Sequence, residues 1–263
     1  MIDSQCDRCY TVEDLRNIVA LLRSPEGCPW DREQTHESIR RNFLEEVYEA
    51  CEAIDSGDSA LLCEELGDVL LQVMFHAQIE AEQGRFDLDN VADAICKKLI
   101  YRHPHIFGDR TVKDSAEALS NWDELKRQEK HQETTTEAME SVARSLPATW
   151  RAEKIQAKAR KVGFDWPDVQ GALLKVDEEL CEFKEAISRG TGTSEELGDL
   201  LFSVINAARL LDIDPEEALH NTSDKFIRRF AYLEQAATDR GQTLSDMTLD
   251  EMEILYQEGK ERL

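Results

Sequence analysis

The sequence predicts an all-α protein built as a tandem repeat, and three observations carry that prediction. Apolar residues recur at helical spacing: Leu66, Val69, Leu70 and Val73 stand at i, i+3, i+4 and i+7, and Leu197, Leu200, Leu201 and Val204 repeat the stripe. Breakers are few, with six prolines and 12 glycines gathered near Ser24 to Pro29, His103 to Gly108, Gly163 to Pro167 and Gly190 to Gly192, which read as connections. No alternating strand pattern of useful length appears. Third, residues 64–70 read EELGDVL and residues 195–201 read EELGDLL, agreeing at six of seven positions.

The order of elements around that block also repeats. Each half opens on Gly-x-x-Trp (Gly27 to Trp30, Gly163 to Trp166) and continues into an EExxE helix, with Glu45, Glu46 and Glu49 in one and Glu178, Glu179 and Glu182 in the other. The shared block follows, and then a basic group read as a turn, Lys98 and Arg102 against Lys225 and Arg229. The polar stretch Lys126 to Ala138 reads as an exposed helix end passing into a linker. The predicted domains are therefore 1–125 and 151–263, with 126–150 between them.

Bulk properties narrow the function. A chain of 263 residues suffices for two modest domains. The formal charge of −24, from 55 acidic and 31 basic residues, opposes binding to duplex nucleic acid or anionic lipid, although metal ions could mediate contact with a small polyanion. No apolar run approaches the roughly 20 residues of a membrane-spanning helix. Met1 to Tyr10 lacks the basic start and apolar stretch of a signal peptide. Seven cysteines, odd in number and mostly isolated, suit reduced thiols in a cytoplasm, and the lone Cys6-x-x-Cys9 lacks the second pair that a structural zinc site needs.

The paired acids are the candidate chemistry. Residues three apart on a helix share a face, so Glu46 projects with Glu49, and Glu65 with Asp68. Two such helices packed antiparallel bring four carboxylates together, and such a cluster is tolerable only with solvent screening, protonation or bound cations. Oxygen ligands favour magnesium or manganese. At an acidic frequency of roughly 0.21, four specified acids arise by chance about 0.002 of the time per register, so one acid pattern alone is weak. Its recurrence in order, with Glu65, Asp68, Glu196 and Asp199 beside the apolar stripe, is what favours a site.

Lys225, Arg228 and Arg229 within five residues of an acidic chain suit phosphate oxygens, with complementing of a helix dipole as the bland alternative. Two ExxH spacings, Glu33 to His36 and Glu217 to His220, raise a di-iron bundle, but both lie outside the repeated block. His76 reads as a packed histidine, His103 and His105 as shaping the turn at Pro104, and Trp30 and Trp166 as anchors closing a helix start.

Taken together, EExxE followed by ExxD, the EELGDLL block and the downstream lysine and arginine resemble the MazG family of nucleoside triphosphate pyrophosphohydrolases in its tandem two-domain form. The resemblance runs from Gly27 to the C-terminal region and includes Arg102 to Phe107 (RHPHIF), Ser145 to Ala148 (SLPA) and Val162 to Trp166 (VGFDW). It implies MazG-like helical domains in four-helix-bundle-type packing, a homodimer, Mg2+ with Mn2+ as a substitute, and hydrolysis of a nucleoside triphosphate to monophosphate and diphosphate, in nucleotide-pool housecleaning or regulation. Carried over, the metal ligands are Glu179, Glu182, Glu196 and Asp199, with Glu46, Glu49, Glu65 and Asp68 as counterparts. Lys175, Lys225 and Arg229 match positions that hold the triphosphate, and Tyr256 stands where the family has a tryptophan. Glu178 or Glu179 orients or deprotonates the attacking water, and sequence does not separate a base from a ligand on one helical turn.

The two sites are expected to be unequal. Aligning on Glu46 and Glu179 sets Asn42 against Lys175, aligning on Asp68 and Asp199 sets Phe75 against Asn206, and Tyr101 faces Arg228. The C-terminal half has the group better suited to an anionic or polar ligand each time, which adds Asn206 and Arg228 to the substrate contacts and makes that half the main catalytic one. The rival reading is a non-enzymatic acidic helical scaffold or regulator that binds a basic partner.

Overall fold

The computed structural model describes residues 9–129 and 132–262, with no strand among the described residues. The chain divides into two compact units, Met1–Lys126 and Arg127–Leu263. Among the described helices, none is long and apolar enough to cross a membrane. Cys6 lies outside the described residues, and the other six cysteines are unpaired.

The first unit contains α1 (Val12–Leu22), α2 (Pro29–Glu33), α3 (His36–Ser56), α4 (Ser59–Glu82), α5 (Leu88–Arg102), α6 (Pro104–Phe107) and most of α7 (Ser115–Glu129). Its centre is the antiparallel pair α3–α4. Gly57 ends α3 in the left-handed region at φ 70°, which a glycine adopts without strain, and the Asp58 carboxylate accepts from the N–H groups of Ala60 and Leu61 to start α4. Helix α1 packs on α4, and Val19, Ile39, Met74, Phe75 and Ile79 form the core. Buried Arg23 at the end of α1 forks onto Glu82 and also donates to the carbonyls of Asp31 and Gln34, which ties α2 to the end of α4.

A polar cluster closes the other side of α4. The His36 and His76 rings stack at 5.0 Å with their Nδ1 atoms 2.7 Å apart, and His36 Nε2 lies 2.5 Å from Glu80. Arg85 donates to both oxygens of Glu80. His76 is thus a hydrogen-bonded member of a network. Burial, with His36 adding to it, pushes the His76 pKa down.

The second unit contains α8 (Thr135–Glu140), α9 (Ala148–Arg160), α10 (Val169–Arg189), α11 (Thr193–Leu210), α12 (Pro215–Asp239), a 3-10 turn (Leu244–Asp246) and α13 (Leu249–Arg262). Residues 127–150 thus include α8, which packs on α9 and brings the buried Ala138 with it. Helices α3 and α10 both have 21 residues, coincide end to end when aligned on Glu46 and Glu179, and end on matching left-handed glycines, Gly57 and Gly190. Helix α10 pairs with α11 as α3 does with α4, and α9 packs on α11 as α1 does on α4. Helix α13 packs on α12 around Leu233, Ala237, Met247 and Leu255.

Two expectations change. The basic group is not a turn: Lys98 and Arg102 lie on α5, and Lys225, Arg228 and Arg229 lie mid-way along α12. Both helices begin after an aspartate cap, Asp87 or Asp214, but Pro104 interrupts the first and no proline interrupts the second. The apolar stripes are only partly covered. Leu66, Leu197, Leu201 and Val204 are exposed, whereas Ala50, Ala53, Ala172 and Ala186 are buried.

Candidate active site

On α10, Lys175, Glu178, Glu179 and Glu182 stand at i, i+3, i+4 and i+7, along one face. On α11, Glu196, Asp199, Ser203 and Asn206 follow a similar row. The pairing of these helices brings carboxylate oxygens of Glu179, Glu196 and Asp199 within 4.8 Å of one another. Glu182 is outside that trio yet feels it: burial first, and then Glu179 and Glu196, raise its pKa. Glu178 also lies outside the trio, and its carboxylate accepts from the Lys175 ammonium at 2.9 Å. Lys175 reaches Glu179 at 2.7 Å as well, and the two carboxylates drive its pKa upward, so it stays charged.

The first unit repeats the arrangement with a different absentee. Glu46, Glu49 and Glu65 come within 4.8 Å, and Asp68 stands outside. Burial, followed by the charge of Asp68 and then Glu49, raises the Glu46 pKa, while burial, Glu49 and Asp68 raise that of Glu65. Each cluster is an all-oxygen donor set whose members repel, which suits a hard divalent cation. Buried Glu179 adds a second sign of fit, because its Oε2 has no partner within the protein. Among the described residues both such groups are purely carboxylate, so neither histidine of the ExxH spacings belongs to one. Glu33 and His36 do not even share a helix.

Beside the C-terminal trio lies a cavity of about 560 Å³ whose wall includes Glu179 and Asp199. Phe164, Trp166 and Phe202 supply aromatic surface, and Lys175 and Asn206 supply polar groups. Trp166 lies against Gly171 in the first turn of α10, where a Cβ would meet its ring at 2.7 Å, so this tryptophan is both an anchor and a wall. Trp30, by contrast, is 61% exposed. Behind the wall, Arg209 donates through Nη2 to Asp165 Oδ1 at 2.5 Å, and through Nε and Nη2 to Asn206 Oδ1.

The same region of the first unit is filled. The alignment that pairs Glu46 with Glu179 pairs Ile39 with Ala172, and the one that pairs Asp68 with Asp199 pairs Phe75 with Asn206. Ile39 and Phe75 belong to the core of the first unit, whereas Ala172 and Asn206 line the cavity of the second. Two substitutions of large apolar side chains by smaller ones thus open space beside one carboxylate cluster. Comparing side-chain volumes between the repeats could have revealed this. Nothing in the sequence singled out Gln156, Phe202 or Arg209.

Lys225, Arg228 and Arg229 do not line the cavity, and none of them makes an ion pair among the described residues. Tyr256, on α13, also stands away from the cavity wall. Its ring packs at 5.7 Å from that of Phe226, the residue after Lys225 on α12.

Comparison with known proteins adds a family. The family model described as the MazG nucleotide pyrophosphohydrolase domain matches residues 34–107 and again 169–232, so each match spans one of the two helix pairs. The chain is 43% identical over 248 residues to the nucleoside triphosphate pyrophosphohydrolase/pyrophosphatase MazG of Thermotoga maritima, covering 94% of this chain and 95% of that one. It is 41% identical over 254 residues to the nucleoside triphosphate pyrophosphohydrolase of Escherichia coli K12, covering 95% and 97%.

Proposed function

The chain belongs to the MazG nucleotide pyrophosphohydrolase family, and from that premise we propose that it hydrolyses a nucleoside triphosphate to monophosphate and diphosphate mainly in its C-terminal domain, 151–263. The observation that carries the assignment to that half is the sharing of Glu179 and Asp199 between the carboxylate trio and the cavity. A ligand whose polyanionic part meets the acids and whose flat apolar part enters an aromatic pocket fits both at once.

In this reading Glu179, Glu196 and Asp199, with Glu182 beside them, hold Mg2+ or Mn2+, and Glu46, Glu49, Glu65 and Asp68 are the counterpart set. When bound, the ion supplies neutralisation of phosphate charge and a lowered water pKa. The protein's own part is positioning. Lys175, kept charged by Glu178 and Glu179, gives a phosphate oxygen a cationic donor at the cavity wall. Glu178, half-exposed and held by Lys175, orients the attacking water or takes its proton. The water oxygen bonds to the α-phosphorus, the bond from that phosphorus to the bridging oxygen breaks, and diphosphate leaves. Lys225, Arg228 and Arg229, with Tyr256 alongside, provide the further contacts to the triphosphate and sugar.

The exposed Leu173, Leu174, Leu180, Ile187, Leu197 and Leu201 on α10 and α11 suit burial against a second copy, which makes a homodimer with four-helix packing the proposed assembly. The unpaired cysteines suit the cytoplasm, where clearing or regulating the nucleotide pool is the proposed role. Product analysis tests the reaction. With a divalent cation the purified protein should release diphosphate and nucleoside monophosphate; accumulation of nucleoside diphosphate and inorganic phosphate would contradict it.

A further inference from the structure

One amide in the cavity wall is held in a single orientation by a residue outside that wall. Asn206, on α11, is half-buried and lines the cavity. Its Oδ1 accepts from Arg209 Nε at 3.1 Å and from Nη2 at 2.7 Å. A guanidinium only donates, so these bonds fix which end of the amide is oxygen and which is nitrogen. Arg209 does not line this cavity, so the oxygen is turned to a group behind the wall and Nδ2 is left as the polar end on the cavity side. Nδ2 keeps accessible surface and has no acceptor among the described residues.

The clamp is itself anchored. Arg209 is 7% exposed, and its Nη2 also donates to Asp165 Oδ1 at 2.5 Å. Asp165 lies between Phe164 and Trp166 in the loop before α10, and the same oxygen accepts from the Trp166 backbone N–H. Flipping the Asn206 amide would set its NH2 group against the guanidinium and break both bonds of a buried network, so the donor is fixed toward the ligand. The first unit has neither part: alignment on Asp68 and Asp199 sets Phe75 against Asn206 and Gln78 against Arg209. The clamp therefore accompanies the cavity. Nucleobases differ from one another mainly in whether a given edge position carries a carbonyl oxygen or an amino group, and a fixed donor distinguishes the two.

We propose that Arg209 is the positioning residue for base selection: by holding Asn206 with Nδ2 toward the ligand, it makes the site favour oxo bases over their amino counterparts. The proposal rests on the triphosphate reading given above. A carbonyl oxygen on the base accepts from Nδ2. An exocyclic amino group in its place sets two donors face to face and leaves an N–H unpaired in a desolvated pocket. Phe164, Trp166 and Phe202 offer their faces to any base, so the discrimination falls on the ring edge.

The test compares triphosphates that exchange an oxo for an amino group: inosine with adenosine, and uridine with cytidine. Diphosphate release is measured for the wild type, Asn206→Asp, Arg209→Met and Arg209→Lys, with thermal melting to confirm folding. In the wild type at least one pair should favour the oxo base by about tenfold or more in kcat/KM, carried by KM. Asn206→Asp, which can only accept, should shift that ratio toward the amino base by about tenfold or more, and this variant decides the role of the donor even if the Arg209 variants do not fold. Arg209→Met, which frees the amide to turn, should bring the pair to within about threefold, whereas Arg209→Lys, which retains a donor to Oδ1, should preserve the direction of the preference. A general loss of stability would not move a ratio between two substrates of one enzyme. Wild-type turnover with both pairs within about twofold, a wild-type preference for the amino bases, or an unchanged ratio in folded Asn206→Asp would overturn the proposal; an unchanged ratio in folded Arg209→Met would overturn the part given to Arg209. Failure of the wild type to release diphosphate from any triphosphate would overturn the triphosphate reading, and this proposal with it.

Discussion

At the scale of single residues, the exchange of Ile39 for Ala172 and of Phe75 for Asn206 turns a filled core into a cavity. Ala172→Ile reverses one half of it. An isoleucine there should displace ligand rather than helix, since the open space lies beside it, and should raise KM about tenfold with the melting temperature near wild type, as steady-state kinetics and thermal melting would show. An unchanged KM would mean that substrate does not use the cavity. Glu80 offers an independent check on the first unit. The Arg85 guanidinium first, with help from His36, holds its carboxyl down to about 2, against the opposing effect of burial. A folded pKa below the unfolded one gives stability that is complete above the ordinary glutamate range and is lost as pH falls toward 2. Melting followed from pH 5 to pH 2.5 should show the wild type losing stability more steeply than Glu80→Gln, and parallel curves would contradict the network. The acids were legible in the sequence because a spacing of three on a helix fixes a shared face. The cavity was less so, because its wall is assembled from four helices, α8 to α11, and the loop before α10.

At the scale of elements, α10 and α11 bring their acids together through a short glycine-bearing connection, and the repeated block made that pairing readable. Charge density gives the basic group the look of a surface turn, but no glycine or proline lies between Pro215 and Gly241, and α12 runs through it unbroken. Its position mid-way along α12 removes the helix-dipole explanation for Lys225 and Arg229, since that effect is confined to the last turn. Lys225→Ala and Arg229→Ala are therefore expected to weaken substrate binding, each by about tenfold in KM, while leaving the melting temperature near that of the wild type. Lower stability with unchanged KM in the folded fraction would make the pair structural.

At the scale of the whole molecule, a duplicated architecture retains clustered acids in both units but a cavity beside the trio in the second and a packed core at the matching positions of the first. The fold class and the repeat were legible because periodicity and a duplicated block are properties of the linear chain. The exposure of the leucines of α10 and α11 was not, since periodicity marks them as apolar without showing which of them the fold covers. The central claim is that turnover resides in the second unit. Its most direct test compares diphosphate release by Glu179→Gln/Glu182→Gln with that by Glu46→Gln/Glu49→Gln, each checked for folding and dimerisation. Near-complete loss in the first double variant and a partial or substrate-selective loss in the second is the expected result; equal losses, or the reverse order, would contradict it.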